Sequence, residues 1–147
     1  MNNIANKKIL LIICGGISAY KSLEIIRLLK KKGATVKTIL TKSAKEFVTP
    51  LSVASLSQEK VYDDLFSHEN ESEMDHISLS RWSDLILVAP TTANTISKLS
   101  TGSSDDLAYI TITRSAYLAT TPRLWVIIIK AVPKSLDSSC ISSNICA

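Results

Sequence analysis

The sequence predicts a single domain built on an open, doubly wound α/β sheet, with helices on both faces of parallel strands. Three observations predict it. Continuous apolar runs of strand length recur along the chain, the pattern of strands covered on both faces rather than one. Helix-length segments lie between them. The first strand–helix–strand unit closes within about 35 residues, a spacing that crosses over right-handed into a parallel sheet.

Each element follows from local chemistry. Lys7 to Cys14 (KKILLIIC) is the first strand, broken by Gly15 and Gly16. Ser18 is read as the cap of a helix running to Lys32, in which Ala19, Leu23, Ile26 and Leu29 share one face. Gly33 after the lysines is a helix stop. Ala34 to Thr41 forms the second strand, followed by a short helix near Ser43 to Phe47 and another over Ser52 to Glu59. The acidic stretch 63–75 has no apolar period and reads as a surface loop. His76 to Trp82 is a short amphipathic segment, and Asp84 to Pro90 (DLILVAP) is the third strand. Helices are expected over Thr92–Thr101, ending at Gly102, and over Asp105–Ala119. Leu124 to Ile129 is the fourth strand. Residues 1–126 are assigned to the domain and 127–147, rich in serine, to a divergent, irregular tail.

Composition narrows the function. The chain has 147 residues, 46% apolar and 20% charged, which suffices for one core and excludes disordered and collagen-like classes. The net charge is +4, and its one basic run, Lys30 to Lys32, closes a helix instead of forming a stripe, so nucleic-acid binding is not expected. Ile9 to Cys14 is far short of the roughly twenty apolar residues of a membrane span. Three cysteines, Cys14, Cys140 and Cys146, form no CxxC pair, which argues against a disulfide framework and for a reducing cytoplasm. His68 sits in the acidic loop, and no second ligand stands at metal spacing from either histidine, so no metal is expected.

In sheets of this kind ligands bind outside the carboxyl ends of the strands. Three strand ends carry suitable groups: Cys14-Gly15-Gly16-Ile17-Ser18, then Thr41-Lys42-Ser43, then Ala89-Pro90-Thr91-Thr92-Ala93-Asn94-Thr95. A glycine turn entering a helix can cradle a phosphate with backbone N–H groups. It is neither GxGxxG nor GxxxxGK[ST], so a dinucleotide fingerprint and a P-loop are both absent. The same glycines also serve close helix–strand packing, and Thr92 and Thr95 also suit simple helix caps. His76 precedes Ile77, Leu79 and Trp82 and suits packing as well as chemistry.

Taken in order, GGISAYK at Gly15–Lys21, TKSAKEFVTPL at Thr41–Leu51 and HISLSRWSDLILVAPTTANTISKLSTGSSDDL at His76–Leu107 resemble the homo-oligomeric flavin-containing cysteine decarboxylases. The nearest resemblance is to phosphopantothenoylcysteine decarboxylases, often the N-terminal part of a bifunctional coenzyme A enzyme, and it runs from about Lys7 to Leu107. The resemblance implies a flavodoxin-like, Rossmann-like three-layer fold that binds FMN between subunits of a trimer, sometimes gathered into dodecamers. By position it implies that Gly16, Ile17, Ser18, Thr41 and Ser43 approach the FMN phosphate, and that Thr92, Ala93, Asn94 and Thr95 line the flavin and substrate pocket. His76 matches the active-site histidine and Asn94 the substrate-carboxylate contact. The implied reaction is flavin oxidation of the cysteinyl thiol of phosphopantothenoylcysteine, loss of the carboxylate, and reduction of the enethiol to 4′-phosphopantetheine.

The sequence then departs from that pattern. A Pro-Ala-Met-Asn-x-x-Met-Trp substrate clamp is expected after Leu124-Trp125-Val126, where the chain reads Ile127-Ile128-Ile129-Lys130-Ala131-Val132-Pro133. Cys140 and Cys146 lack the glycine-rich surroundings of the family's proton-donating flap cysteine. The expectation is therefore a truncated or frame-shifted member in which FMN binding outlasts turnover. Alternatives are a non-catalytic FMN-binding or regulatory subunit, a degenerate fragment, and, within the superfamily, a flavin prenyltransferase.

Overall fold

The computed structural model describes residues 4–62, 72–102, 106–118 and 125–130. Five parallel strands, β1 (Lys8–Ile13), β2 (Thr35–Leu40), β3 (Val61–Tyr62), β4 (Leu85–Thr91) and β5 (Trp125–Lys130), lie in the order β3-β2-β1-β4-β5. The chain winds outward from β1 to β3 on one side, then returns to the other side of β1 for β4 and β5. Helices α1 (Ala19–Lys31) and α2 (Pro50–Ser57) cover one face. Helices α3 (Ser72–Trp82) and α5 (Leu107–Leu118) cover the other, and α4 (Ala93–Ser100) leaves the end of β4. This is the doubly wound, three-layer α/β fold expected from the apolar runs.

The two faces of β1 divide the core. Ile9, Leu11 and Ile13 pack with Ala19 and Ile26 of α1, Val53 of α2, and Val36 and Leu40 of β2. Leu10, Ile12 and Cys14 pack with Leu79 of α3, with Ile86 and Val88 of β4, and with Leu107, Ala108 and Ile112 of α5. Side chains of a strand alternate between faces, so a strand buried on both must be apolar throughout. Each fully buried Leu or Ile stabilises the fold by about 1.5–3 kcal/mol.

Backbone and side-chain ties fix the register. The Lys8 N–H donates to Asp84 Oδ2 over 2.9 Å, and the Asp84 N–H donates to the Lys8 carbonyl over 2.8 Å, joining the starts of β1 and β4. Ser22 of α1, buried, donates its hydroxyl to the Ala89 carbonyl of β4 over 2.7 Å.

Several boundaries differ from the sequence expectation. Helix α2 begins at Pro50 rather than Ser52, because Thr49 accepts the Ser52 N–H and Pro50 occupies the first turn, where its missing N–H costs nothing. Helix α3 begins at Ser72, so residues 72–75 are helical and not loop. Strand β3 has two residues, too few to leave a periodic signal. Strand β5 pairs Leu85 with Trp125 through Val88 with Ile128 and runs to Lys130, so residues 127–130 belong to the sheet and not to the tail drawn from 127. Residues 131–147 lie outside the described residues, as does His68.

Candidate functional site

The strand order reverses between β1 and β4, and the groups that follow these two strands meet there. A crevice outside the carboxyl ends at such a point is where open α/β sheets bind ligands. The Cys14 N–H donates to the Pro90 carbonyl over 3.3 Å, holding the two strand ends together.

On the β1 side the chain turns at Gly15 and Gly16. A Cβ on Gly15 would lie 2.5 Å from Ser43 Cβ, so the glycine lets the segment after β2 close onto the turn. Gly16 has φ +154°, and a Cβ there would meet nothing within 4 Å, so open space stands beside it. Ile17 is 79% exposed. Ser18 adopts a helical backbone and makes no side-chain cap bond, which corrects its expected role as the α1 cap. Thr41 is buried, and its hydroxyl and N–H both donate to the Ile13 carbonyl, at 3.2 and 3.1 Å. It ties β2 to β1 and has no hydroxyl hydrogen left for a ligand. Ser43 is exposed in the 3-10 turn Lys42–Glu46.

On the β4 side Thr92 caps α4. Its backbone is extended, its Oγ1 accepts the Thr95 N–H over 3.1 Å, and the two hydroxyls lie 2.9 Å apart. Ala93 and Asn94 are exposed in the first helical turn, while Thr95 is only 2% exposed. The Thr95 Oγ1 also meets the Tyr109 hydroxyl of α5 at 3.5 Å. Burial pushes the Cys14 thiol above its ordinary pKa; the Thr95 hydroxyl opposes this and the Asp106 carboxylate adds to it. Burial likewise raises the Tyr109 phenol, with Thr95 and the Lys98 ammonium, 5.0 Å from its ring centroid, pulling the other way. Both groups therefore stay protonated at neutral pH.

Gly16, Ile17 and Ser18 thus follow β1 and Thr92 and Asn94 follow the neighbouring β4, while Thr41 and Thr95 are buried. His76 lies in α3, and its side chain is outside the described residues. Among the described residues no cluster of three or more His, Cys, Asp or Glu side chains is arranged to hold a metal, and no helix is long and apolar enough to cross a membrane. Sequence reading missed Ser22, Tyr109 and the side chain of Cys14 as parts of the site. Only the alternation of β1, which puts Cys14 on the face of Leu10 and Ile12, signals the last of these.

An open α/β protein whose ligand crevice lies at the switch point between a glycine turn and a threonine-capped helix is the class that fold and site define. The chain belongs to the Flavoprotein family, whose model matches residues 1–134. It is 48% identical over 107 residues to the coenzyme A biosynthesis bifunctional protein CoaBC of Vibrio vulnificus, covering 73% of this chain and 27% of that one. The chain therefore spans about a quarter of the length of such curated relatives. Among solved structures, a cysteine-to-serine mutant of a PPC decarboxylase aligns with a TM-score of 0.62 and 27% identity, covering 82% of this chain and 69% of that one. The FMN-binding protein AtHal3 aligns with a TM-score of 0.65 and 26% identity, covering 86% and 66%.

Proposed function

We propose that the chain binds FMN at the ends of β1 and β4 and acts, in the cytoplasm, as a phosphopantothenoylcysteine decarboxylase of coenzyme A biosynthesis. The single observation that supports the reading is the topology, in which the strand order reverses between β1 and β4. Gly16, with open space beside it, and Ser18, whose hydroxyl makes no cap bond, follow β1, and the Thr92 cap follows the neighbouring β4. A flavin nucleotide fits this donor set, since phosphate needs clustered N–H and O–H donors beside a surface without side-chain bulk.

In this reading Gly16, Ile17 and Ser18 hold the phosphate from the β1 turn, and Ser43 approaches it from the segment after β2. Thr41 acts from behind by holding β2 against β1. Thr92, Ala93 and Asn94 line the flavin and substrate pocket, with Thr95 fixing the first turn of α4. FMN, when bound, supplies the two-electron oxidation of the substrate thiol that eases loss of the neighbouring carboxylate. Asn94 orients that carboxylate, and His76 moves a proton at the thiol.

The exposed apolar side chains Ile17, Tyr20, Phe47, Leu51 and Ile96 follow the ends of β1, β2 and β4. They support burial of this rim against further copies of the chain in a trimer or dodecamer.

A second reading, an FMN-binding subunit without decarboxylase activity, is favoured by one observation. Residues 127–133 read Ile-Ile-Ile-Lys-Ala-Val-Pro instead of the expected clamp. The deciding experiment is a sizing column run with FMN and read by visible absorbance, followed by assay of carbon dioxide release from phosphopantothenoylcysteine. Flavin bands on an oligomer with turnover support the decarboxylase, and flavin without turnover supports the binding subunit. A colourless protein rules out both.

A further inference from the structure

Helix α4 has Thr92 as its cap and Ala93 and Asn94 in its first turn, yet little of it is buried. Of its eight residues only Thr95 is buried; Leu99 packs partly against the core beside Leu10 and Ile12, and Ile96 is exposed. A helix this short gains its stability from packing, and one that buries so little opens before the rest of the fold. Helix α5 is anchored differently. Its Leu107, Ala108 and Ile112 are buried with Leu10, Ile12, Ile86 and Val88 of the sheet, and the Asp106 carboxylate accepts the Ala108 N–H over 3.4 Å at its start.

Tyr109 joins the two helices. It lies in the first turn of α5, is 6% exposed, and meets α4 at two residues. Its hydroxyl stands 3.5 Å from Thr95 Oγ1, and the Lys98 ammonium lies 5.0 Å from its ring centroid. Residues three apart on a helix share one face, so a single ring spans the face of α4 that carries Thr95 and Lys98. Burial of the ring and its attraction for the ammonium belong to the ring and not to the hydroxyl. Because α5 is fixed to the sheet by its apolar side chains and α4 is not, this contact fixes α4.

We propose that Tyr109 is a positioning residue: its ring docks α4 on α5 and thereby sets Thr92, Ala93 and Asn94 for the flavin and the substrate. The proposal rests on the FMN reading for the identity of the ligand. The docking of α4 is a property of the chain alone.

Two measurements on the full chain test it. The first is amide hydrogen exchange without ligand, read by mass spectrometry of peptides covering α4 and α1. Tyr109→Leu should speed exchange in α4 about tenfold and leave α1 unchanged, while Tyr109→Phe, which keeps the ring, should stay within about twofold of the wild type. No acceleration in α4, or equal acceleration in both helices, overturns the proposal. Lys98→Met should speed α4 about threefold, and adding it to Tyr109→Leu should add little, because the ring it acts on is already gone. Rates that multiply overturn the ring–ammonium contact. If Tyr109→Leu fails to fold, Lys98→Met decides, and acceleration confined to α4 is required. The second measurement is FMN affinity by flavin fluorescence, which should fall about tenfold in Tyr109→Leu and hold within about twofold in Tyr109→Phe. Unchanged affinity beside a loosened α4 overturns the role of Tyr109 in setting the pocket. A wild-type chain that binds no FMN overturns the cofactor reading, and the exchange rates then decide the docking of α4 on their own.

Discussion

Gly15 and Ser43 stand so close that a Cβ on the glycine would lie 2.5 Å from the serine Cβ and 3.0 Å from its carbonyl carbon. Twenty-eight positions apart, they join the turn after β1 to the turn after β2, and backbone has to move if either grows. Gly15→Ala is expected to destabilise the fold by about 1–3 kcal/mol, the usual cost of overpacking, and to open the phosphate end of the crevice. Chemical denaturation checks the first effect and an FMN titration the second. A variant as stable as the wild type would mean that the two turns separate freely.

Ser22 holds α1 to β4 through its 2.7 Å bond to the Ala89 carbonyl, in a buried setting. Ser22→Ala leaves that carbonyl without its side-chain partner and is expected to cost about 1–3 kcal/mol. Thermal unfolding measures it, and a loss below about 0.5 kcal/mol would show that water takes the place of the hydroxyl.

The buried thiol gives the stability a pH dependence. The Cys14 pKa is raised above its ordinary value of 9.0, so its contribution is complete below that pH and is lost as pH rises through the higher, folded-state value. Tyr109, also raised, adds a loss further into alkali. Denaturation midpoints should therefore fall from about pH 9 upward, and Cys14→Ala should remove the earlier part of the fall. In the folded wild type Cys14 should react slowly with iodoacetamide at neutral pH, read by peptide mass after digestion. Rapid labelling would contradict the protonated, buried state.

Asn94 is exposed at the mouth of α4 and makes no bond that the helix depends on. Asn94→Asp is expected to leave the melting temperature within a degree or two and to weaken phosphopantothenoylcysteine about tenfold by opposing its carboxylate. FMN affinity serves as the internal control. Unchanged substrate affinity would remove Asn94 from the carboxylate contact.

How much of this was legible in the residues differs from element to element. Strand β1 was plain because the short apolar run Ile9–Cys14, bounded by lysines and a glycine pair, suits a strand covered on both faces, and α1 was plain because its leucines and isoleucines repeat every three or four positions. The glycine turn, the Thr92 cap and the stop at Gly33 are local chemistry, set by which residues tolerate positive φ or accept a backbone N–H, and they stand where the sequence put them. Ser18 did not become a cap, because the turn at Gly16 carries it into helical geometry before its hydroxyl can reach back. Strand β3 left no signal because two residues have no period.

The sequence by itself determined the alternation of strands and helices and the residue types at each strand end, since these depend only on neighbours along the chain. Tertiary structure alone decided that β1 and β4 lie side by side. With that, Thr41 turns its hydroxyl onto Ile13, Ser22 reaches Ala89, and the Thr95 hydroxyl of α4 meets the Tyr109 hydroxyl of α5. The reason is physical: strand order follows from the packing of the whole sheet, and a hydroxyl's role follows from which donors that packing brings within about 3 Å of it.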